Sequence, residues 1–198
     1  MADARTIALY DAKAADYAKL VQSDAADAQL QAFMDLLPKG AGVLDLGCGP
    51  AFASVKMRDA GFKPDPVDAS KGMVDMANAR FDINARQLTF DDIDMIAAYD
   101  GVWANFSLLH AARADLPRHL AALATALRLN GIIHIGMKTG TGEARDRIDR
   151  KYTYVTKDEL RELLETAGFT RIGIDTGADA GFDGTVAPWV VMRGRKHG

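Results

Sequence analysis

The sequence predicts an α/β fold, a mostly parallel sheet with helices on both faces. Three observations predict it. Short apolar runs alternate with amphipathic helical patterns from residue 43 onward, the pattern of repeated strand-helix-strand units. The first run, Val43-Leu44-Asp45-Leu46, closes in Gly47-Cys48-Gly49-Pro50, which reads as a buried parallel strand entering a tight turn. The second run ends in Asp68, nineteen residues beyond Gly49. Ligands of such sheets lie beyond the carboxyl ends of the strands, so these two features point to one place.

The elements follow in order. Ala26, Leu30, Phe33, Met34 and Leu37 share a helical face that ends at Pro38-Lys39-Gly40. After the first strand, residues 51–60 read as a helix stopped by Gly61. A second strand spans 62–68, Ser70 caps a helix through Arg80, and 87–90 suggests a third strand. Residues 102–108 form a fourth strand, and Asp115 caps a helix whose Leu116, Leu120, Leu123 and Leu127 share a face ended by Asn130-Gly131. Ile132–Met137 is a fifth strand, and the polar stretch 138–155 is a long connection of the kind that carries function. Thr156 and Glu159 fit a capping box for a helix reaching Ala167 and stopped by Gly168. Strands near 169–175 and 186–193 complete the chain as an antiparallel pair.

Pro64 and Pro66 lie inside the second strand, where proline is normally confined to edges and strand starts. Amides of alternate residues face the same neighbour, so both prolines remove donors on one side only. The second strand should therefore bond well to the first and poorly to the third.

Size and charge bound the function. A chain of 198 residues fits one domain with one sizeable core. A net charge of -3 from 24 basic and 27 acidic side chains lacks the basic footprint of a nucleic-acid binder. The single cysteine, Cys48, can form no internal disulfide. Asp3, Asp11, Asp16, Asp24 and Asp27 interrupt any apolar leader, and no apolar run is long enough to span a membrane. The expectation is a cytoplasmic protein with no membrane role, and composition is silent on its oligomeric state.

The string Val43-Leu44-Asp45-Leu46-Gly47-Cys48-Gly49 resembles the first motif of class I S-adenosylmethionine-dependent methyltransferases. The resemblance covers roughly residues 40–195. It implies a Rossmann-like three-layer sandwich with a seven-stranded sheet, mostly parallel with an antiparallel last strand, and S-adenosylmethionine as cofactor. It also implies contacts to that cofactor from Gly47, Cys48 and Gly49, with Asp45 orienting the turn or the cofactor's ammonium.

A carboxylate at Asp68 can accept hydrogen bonds from both ribose hydroxyls; the alternative is that it only caps a helix beside Ser70. Ala69 neighbours it, and Met73 is a candidate to pack on the adenosine. Phe90-Asp91-Asp92-Ile93 resembles the element whose carboxylate takes the adenine amino group, with Asp91 and Asp92 undistinguished and a solvated acidic turn as the rival reading. Asn105-Phe106-Ser107-Leu108-Leu109-His110 resembles the fourth motif, which passes under the reactive methyl, so Asn105 and Phe106 join the candidates. Tyr10 and Tyr17 resemble the lid of small methyltransferases within a helical segment 1–38. Ala51 stands where the family often has glycine, and should tighten the pocket slightly.

Methyl transfer from a sulfonium needs alignment and exclusion of water rather than a metal. His110, just past the fourth strand, is the best-placed general base, with backbone bonding as its plain alternative; His119 and His134 read as helix-surface and strand-borne. The loop 138–155 resembles segments of small bacterial methyltransferases, which nominates Arg150 and Tyr152 for the acceptor pocket. Guanidinium groups there would recognise a carboxylate or phosphate on a small-molecule acceptor. Two rival functions stand beside this one. A nicotinamide-dependent oxidoreductase would need a third glycine where the chain has Phe52, and a non-catalytic cofactor-binding partner protein would have no use for the fourth motif.

Overall fold

The computed structural model describes residues 3–20, 24–181 and 183–197, with the side chains of 15–20 and 24–26 outside the description. Helix α1 (Ala4–Leu20) is kinked at Lys13, and α2 (Asp24–Met34) follows. Then come β1 (Gly42–Leu46), α3 (Phe52–Asp59), β2 (Lys63–Asp68), α4 (Lys71–Phe81) and β3 (Arg86–Gln87). Strand β4 (Tyr99–Asn105), α5 (Leu116–Ala126) and β5 (Leu127–Lys138) continue the alternation. The carboxyl half adds β6 (Glu143–Arg145), β7 (Lys151–Thr153), α6 (Lys157–Thr166), β8 (Phe169–Ala180) and β9 (Val186–Lys196).

Seven strands form one sheet in the order β3-β2-β1-β4-β5-β9-β8. The pairs from β3 to β5 are parallel, and β9 runs antiparallel to both β5 and β8. The expected seven-stranded sheet with a reversed last strand is therefore present. Strand order reverses between β1 and β4, which opens a crevice at their carboxyl ends.

Successive β1 residues feed opposite layers, as the pleat requires. Val43 packs with Phe33, Met57 and Trp103, whereas Leu44 and Leu46 join Val102, Leu120, Ile133 and Leu164 on the other face. The prolines act as predicted: β2 pairs with β1 over five positions, Gly42–Leu46 against Lys63–Val67, and with β3 only through Val67 and Asp68. Its surviving donors face β1, where Lys63 N bonds Ala41 O at 2.9 Å.

Several boundaries differ from the sequence reading. The third strand is two residues long, and Thr89 turns the chain into a 3-10 turn, Phe90–Asp92, with a capping box of its own. The fourth strand begins at Tyr99 and ends at Asn105, because Phe106 takes a left-handed φ of 55° that no strand continues. Asp115 makes no side-chain cap for α5; its backbone is already helical, and it reaches Arg118 at 3.4 Å. Asn130, at φ 64°, bends β5 rather than ending an element before it. The polar stretch 138–155 is largely a β6–β7 hairpin in which Ala144 pairs with Tyr152. The Thr156–Glu159 capping box forms as expected.

Candidate cofactor and acceptor site

The crevice holds a pocket whose empty space is about 710 Å³ with the open solvent at its mouth included. Its floor is the bend after β1. Gly47 has φ +73°, and a β-carbon there would stand 2.4 Å from Ser107 Cβ in the segment after β4, so only glycine fits. Gly47 N and Cys48 N both donate to Val67 O, at 2.8 and 3.0 Å. The turn is thus stitched to the end of β2.

Asp68 completes that stitching. Its Oδ2 accepts from Gly49 N at 2.8 Å and its Oδ1 from Ser70 N at 2.8 Å. Four lone-pair sites on a carboxylate leave room for two more donors, which is what a pair of ribose hydroxyls needs. Burial raises its pKa, against the lowering effect of the Ser70 and Gly49 amides. Asp68 does act on the helix start, as the capping alternative held, but the cap itself is Ser70, whose Oγ accepts from Met73 N at 3.1 Å.

Asp45 lies beneath the turn, 1% exposed, and does not line the pocket. Its Oδ2 accepts from Ser54 Oγ at 2.7 Å, which ties the turn to α3. Burial without a cation pushes its pKa up to about 7, and the nearby Asp68 charge pushes the same way. Of its two expected roles, the structure supplies orientation of the turn. Cys48 turns its half-buried thiol toward the cluster of Ala51, Val74 and Ala77, so only its backbone belongs to the bend. Ala51 is fully buried in that cluster at φ 61° and starts α3; it strains the backbone instead of narrowing the pocket. Phe52 packs edge-on to Phe81 under Arg80.

Ala69, Met73, Leu88 and Phe90 form one wall of the pocket. Asp91 and Asp92 are absent from it. Asp91 pairs with Arg118 at 2.5 Å, and Asp92 Oδ2 accepts from Thr89 N and Oγ1 in the capping box. Both pKa values are lowered by those hydrogen bonds. Neither carboxylate lines the pocket; both are held within the acidic turn, and the residue on the wall is the preceding Phe90. His119, expected on a helix surface, is 2% exposed beneath Phe90, ring centroids 5.6 Å apart.

The opposite end is built from β4 and α1. Asn105, Phe106, Ser107 and His110 line it, faced by Asp3, Thr6, Ile7 and Tyr10. The amino-terminal helix is therefore one wall of the pocket. It is pinned by Asp11, whose Oδ1 accepts from Ser70 Oγ at 2.6 Å and Gly72 N at 2.9 Å. A β-carbon at Gly72 would stand 2.9 Å from Asp11 O. The Tyr17 side chain lies outside the described residues. His134 is fully buried and stacked on Trp103, centroids 3.8 Å apart; its Nε2 bonds Asn105 Oδ1 at 3.1 Å.

His110 Nδ1 bonds Lys151 O at 2.7 Å, so Nδ1 carries the proton and Nε2 accepts from Tyr10 OH at 2.9 Å. Burial lowers its pKa to about 4, with the Arg150 charge adding to the effect. Arg150, 2% exposed, donates from Nη1 to the Tyr10 oxygen at 3.0 Å and from Nε to Asp146 at 2.8 Å. Tyr152, 3% exposed, packs edge-on to His110 at 4.9 Å. Neither Arg150 nor Tyr152 lines the pocket; they stand behind Tyr10 and His110. Leu88, Ser107, Asp3, Thr6 and Ile7 carried no sequence signal of their own beyond their neighbours in motifs, and only the fold brings them to the wall.

Residues 43–131 match the family model described as a methyltransferase domain. The match runs from β1 into β5 and takes in the Gly47–Gly49 bend and Asp68. The match favours the methyltransferase reading over the nicotinamide-dependent one. No curated protein matches the chain in sequence. Among solved structures, the 1,6-didemethyltoxoflavin-N1-methyltransferase of Burkholderia thailandensis, with bound 1,6-didemethyltoxoflavin and S-adenosylhomocysteine, is 22% identical at a TM-score of 0.78, covering 98% of this chain and 88% of that one. The methyltransferase of Haloferax volcanii solved with the Trm112 activator is 20% identical at a TM-score of 0.73, covering 96% of this chain and 98% of that one. A possible histamine N-methyltransferase of Thermotoga maritima is 18% identical at a TM-score of 0.70, covering 96% and 99%. At these identities the likeness is one of fold. Among the described residues, no helix is long and apolar enough to cross a membrane.

Proposed function

We propose that this domain transfers a methyl group from S-adenosylmethionine to a small-molecule acceptor by in-line displacement. The carrying observation is the 2.8 Å bond from Gly49 N to Asp68 Oδ2. It joins a bend with glycine at 47 and 49 to a carboxylate with spare lone pairs in one pocket. The donor set suits the cofactor: Asp68 for the ribose hydroxyls, Met73, Leu88 and Phe90 for a planar base, and the Gly47–Gly49 bend for the amino-acid arm. When bound, the cofactor supplies an electrophilic methyl on a positively charged sulfur.

The chain's own residues align the acceptor and exclude water. Helix α1 roofs the pocket, and Phe106 and Ile7 keep the reacting end apolar. His110 stays neutral at pH 7 with a pKa near 4, and its Nε2 meets the Tyr10 hydroxyl rather than open pocket. Its role as a base therefore runs through Tyr10, while Arg150 and Tyr152 hold that pair in place. Small-molecule methyltransferases occur among the structural neighbours, and the pocket's enclosure by α1 favours a compact acceptor over a polymer. The partner-protein alternative draws on the activator complex of one neighbour.

Calorimetry tests the cofactor site without an acceptor. S-adenosylhomocysteine should bind at micromolar concentration, and Asp68→Ala should weaken it at least tenfold, the loss expected for hydrogen bonds to a charged group. Normal affinity in that variant would refute the site. Methyl transfer to small molecules from labelled cofactor tests the reaction.

A further inference from the structure

We propose that the β6–β7 hairpin is a latch on the α1 wall of the pocket. It holds the segment from Asp3 to Tyr10 shut, and ligands exchange only when that segment swings away about Lys13. The proposal rests on the methyltransferase reading above for the ligands that exchange.

Helix α1 walls the pocket with little apolar support of its own. Of its described side chains only Thr6 and Ala14 are buried, and none joins the apolar clusters packed on the sheet. A segment with few buried apolar contacts opens at a low cost in free energy. The bonds that keep it in place are polar, and four of them come from the hairpin. Arg145 Nη2 bonds Asp3 Oδ1 at 2.8 Å, and Arg5 Nη2 lies 2.6 Å from Asp149 Oδ2. Lys151 N donates to Thr6 Oγ1 at 2.9 Å, and Arg150 Nη1 donates to the Tyr10 oxygen at 3.0 Å. Asp11, bonded to Ser70 and Gly72, lies just before the kink, where Lys13 leaves the helical region with φ -115° and ψ 15°. Hinges are a few positions that absorb backbone rotation, so Lys13 is the pivot and the hairpin bonds, farther from it, are the catch.

The hairpin itself belongs to the fixed body. Lys151 O bonds His110 Nδ1 at 2.7 Å, Thr153 Oγ1 donates to Ala111 O at 2.6 Å, and Glu143 Oε1 accepts from Arg113 N at 2.8 Å. Among the described residues none from 143 to 153 lines the pocket, so the hairpin acts on ligands only through what it holds. Tyr10 rides on the swinging segment and His110 on the fixed one, so their 2.9 Å bond exists only while the latch is closed. Closure therefore assembles the reacting end in the same movement that excludes water.

Such a latch has a kinetic signature. Arg145 stands behind the wall, and its bond to Asp3 stabilises the closed pocket equally with and without a ligand. An interaction common to both states leaves affinity alone, so weakening it speeds entry and exit alike.

Stopped-flow binding of S-adenosylhomocysteine to the full chain tests this, with Arg145→Ala and Asp149→Asn as two variants. Association and dissociation rates should both rise, about threefold for Arg145→Ala and about twofold for the more exposed Asp149 pair, with the dissociation constant unchanged. Added salt should speed exchange in the parent and do so less in the variants. Unchanged rates in Arg145→Ala overturn the latch and leave the methyltransferase reading standing. Faster exit without faster entry makes Arg145 a support of the ligand site itself and likewise overturns the latch alone. Failure of the parent to bind S-adenosylhomocysteine overturns the methyltransferase reading and the latch with it.

Discussion

Replacing Gly47 by alanine tests the bend on which the pocket is built. The new β-carbon would stand 2.4 Å from Ser107 Cβ, and the backbone would keep φ +73°. The left-handed conformation costs an alanine about 1–2 kcal/mol, and forcing a methyl into a packed site costs about 1–3 kcal/mol. Stiffening the unfolded chain returns about 0.4–1 kcal/mol. The expected loss is about 2–4 kcal/mol, read from urea unfolding of the cofactor-free protein. The two contributions can be separated, because only the clash involves Ser107. In the double variant Gly47→Ala/Ser107→Gly the clash disappears and the φ penalty stays. A cycle with both single variants should therefore show a favourable coupling of about 1–3 kcal/mol. A Gly47→Ala protein as stable as the parent, or a coupling near zero, would refute the account of the bend.

Asp45 links stability to pH. Its native pKa of about 7 exceeds the ordinary 3.8, so the folded state holds a proton that the unfolded state releases across that interval. This contribution is full below about pH 4 and is lost as pH rises to about 7, with a slope of at most about 1.4 kcal/mol per pH unit. Asp45→Asn should flatten that slope in thermal unfolding, and an unchanged profile would contradict it. Tyr10→Phe removes the oxygen between Arg150 Nη1 and His110 Nε2; labelled methyl transfer should fall about tenfold or more, the effect of hydrogen bonds to a charged group, and undiminished transfer would exclude the relay. Arg150→Ala leaves Asp146 buried and unpaired, each partner at most 7% exposed, and should cost about 3–5 kcal/mol. Arg145→Ala, which breaks the more exposed pair with Asp3, should cost under about 1 kcal/mol; equal thermal shifts would refute the distinction.

Much of the framework was legible because its determinants are local. The Gly47-Cys48-Gly49 bend follows from apolar residues meeting glycines, the Thr156–Glu159 box from a three-residue spacing, and the weak β2–β3 pairing from two prolines on one edge. Asp68 was legible because a strand end fixes where its carboxylate must sit.

The acidic turn was misread for the opposite reason. Nothing in Phe90-Asp91-Asp92 reveals that Arg118 lies within reach of Asp91 or that Asp92 folds back on Thr89. His119 was misplaced because the α5 pattern could not show that Phe90 would cover its polar face. Arg150 and Tyr152 lie one layer behind the pocket wall, where Arg150 meets Tyr10, 140 residues earlier in the chain.

The sequence by itself determined the order of elements, the parallel sheet with its reversed last strand, and the bend and carboxylate that meet at the strand ends. Those follow from periodicity and backbone sterics, which act over a few residues. Only the tertiary structure decided which charges are spent on one another. Pairing of Arg145 with Asp3 and Arg150 with Asp146, and the isolation of Ser107 Oγ, depend on distances between segments far apart in the chain. Coulombic and hydrogen-bond energies are set by those distances and by burial, and neither is written in any local pattern.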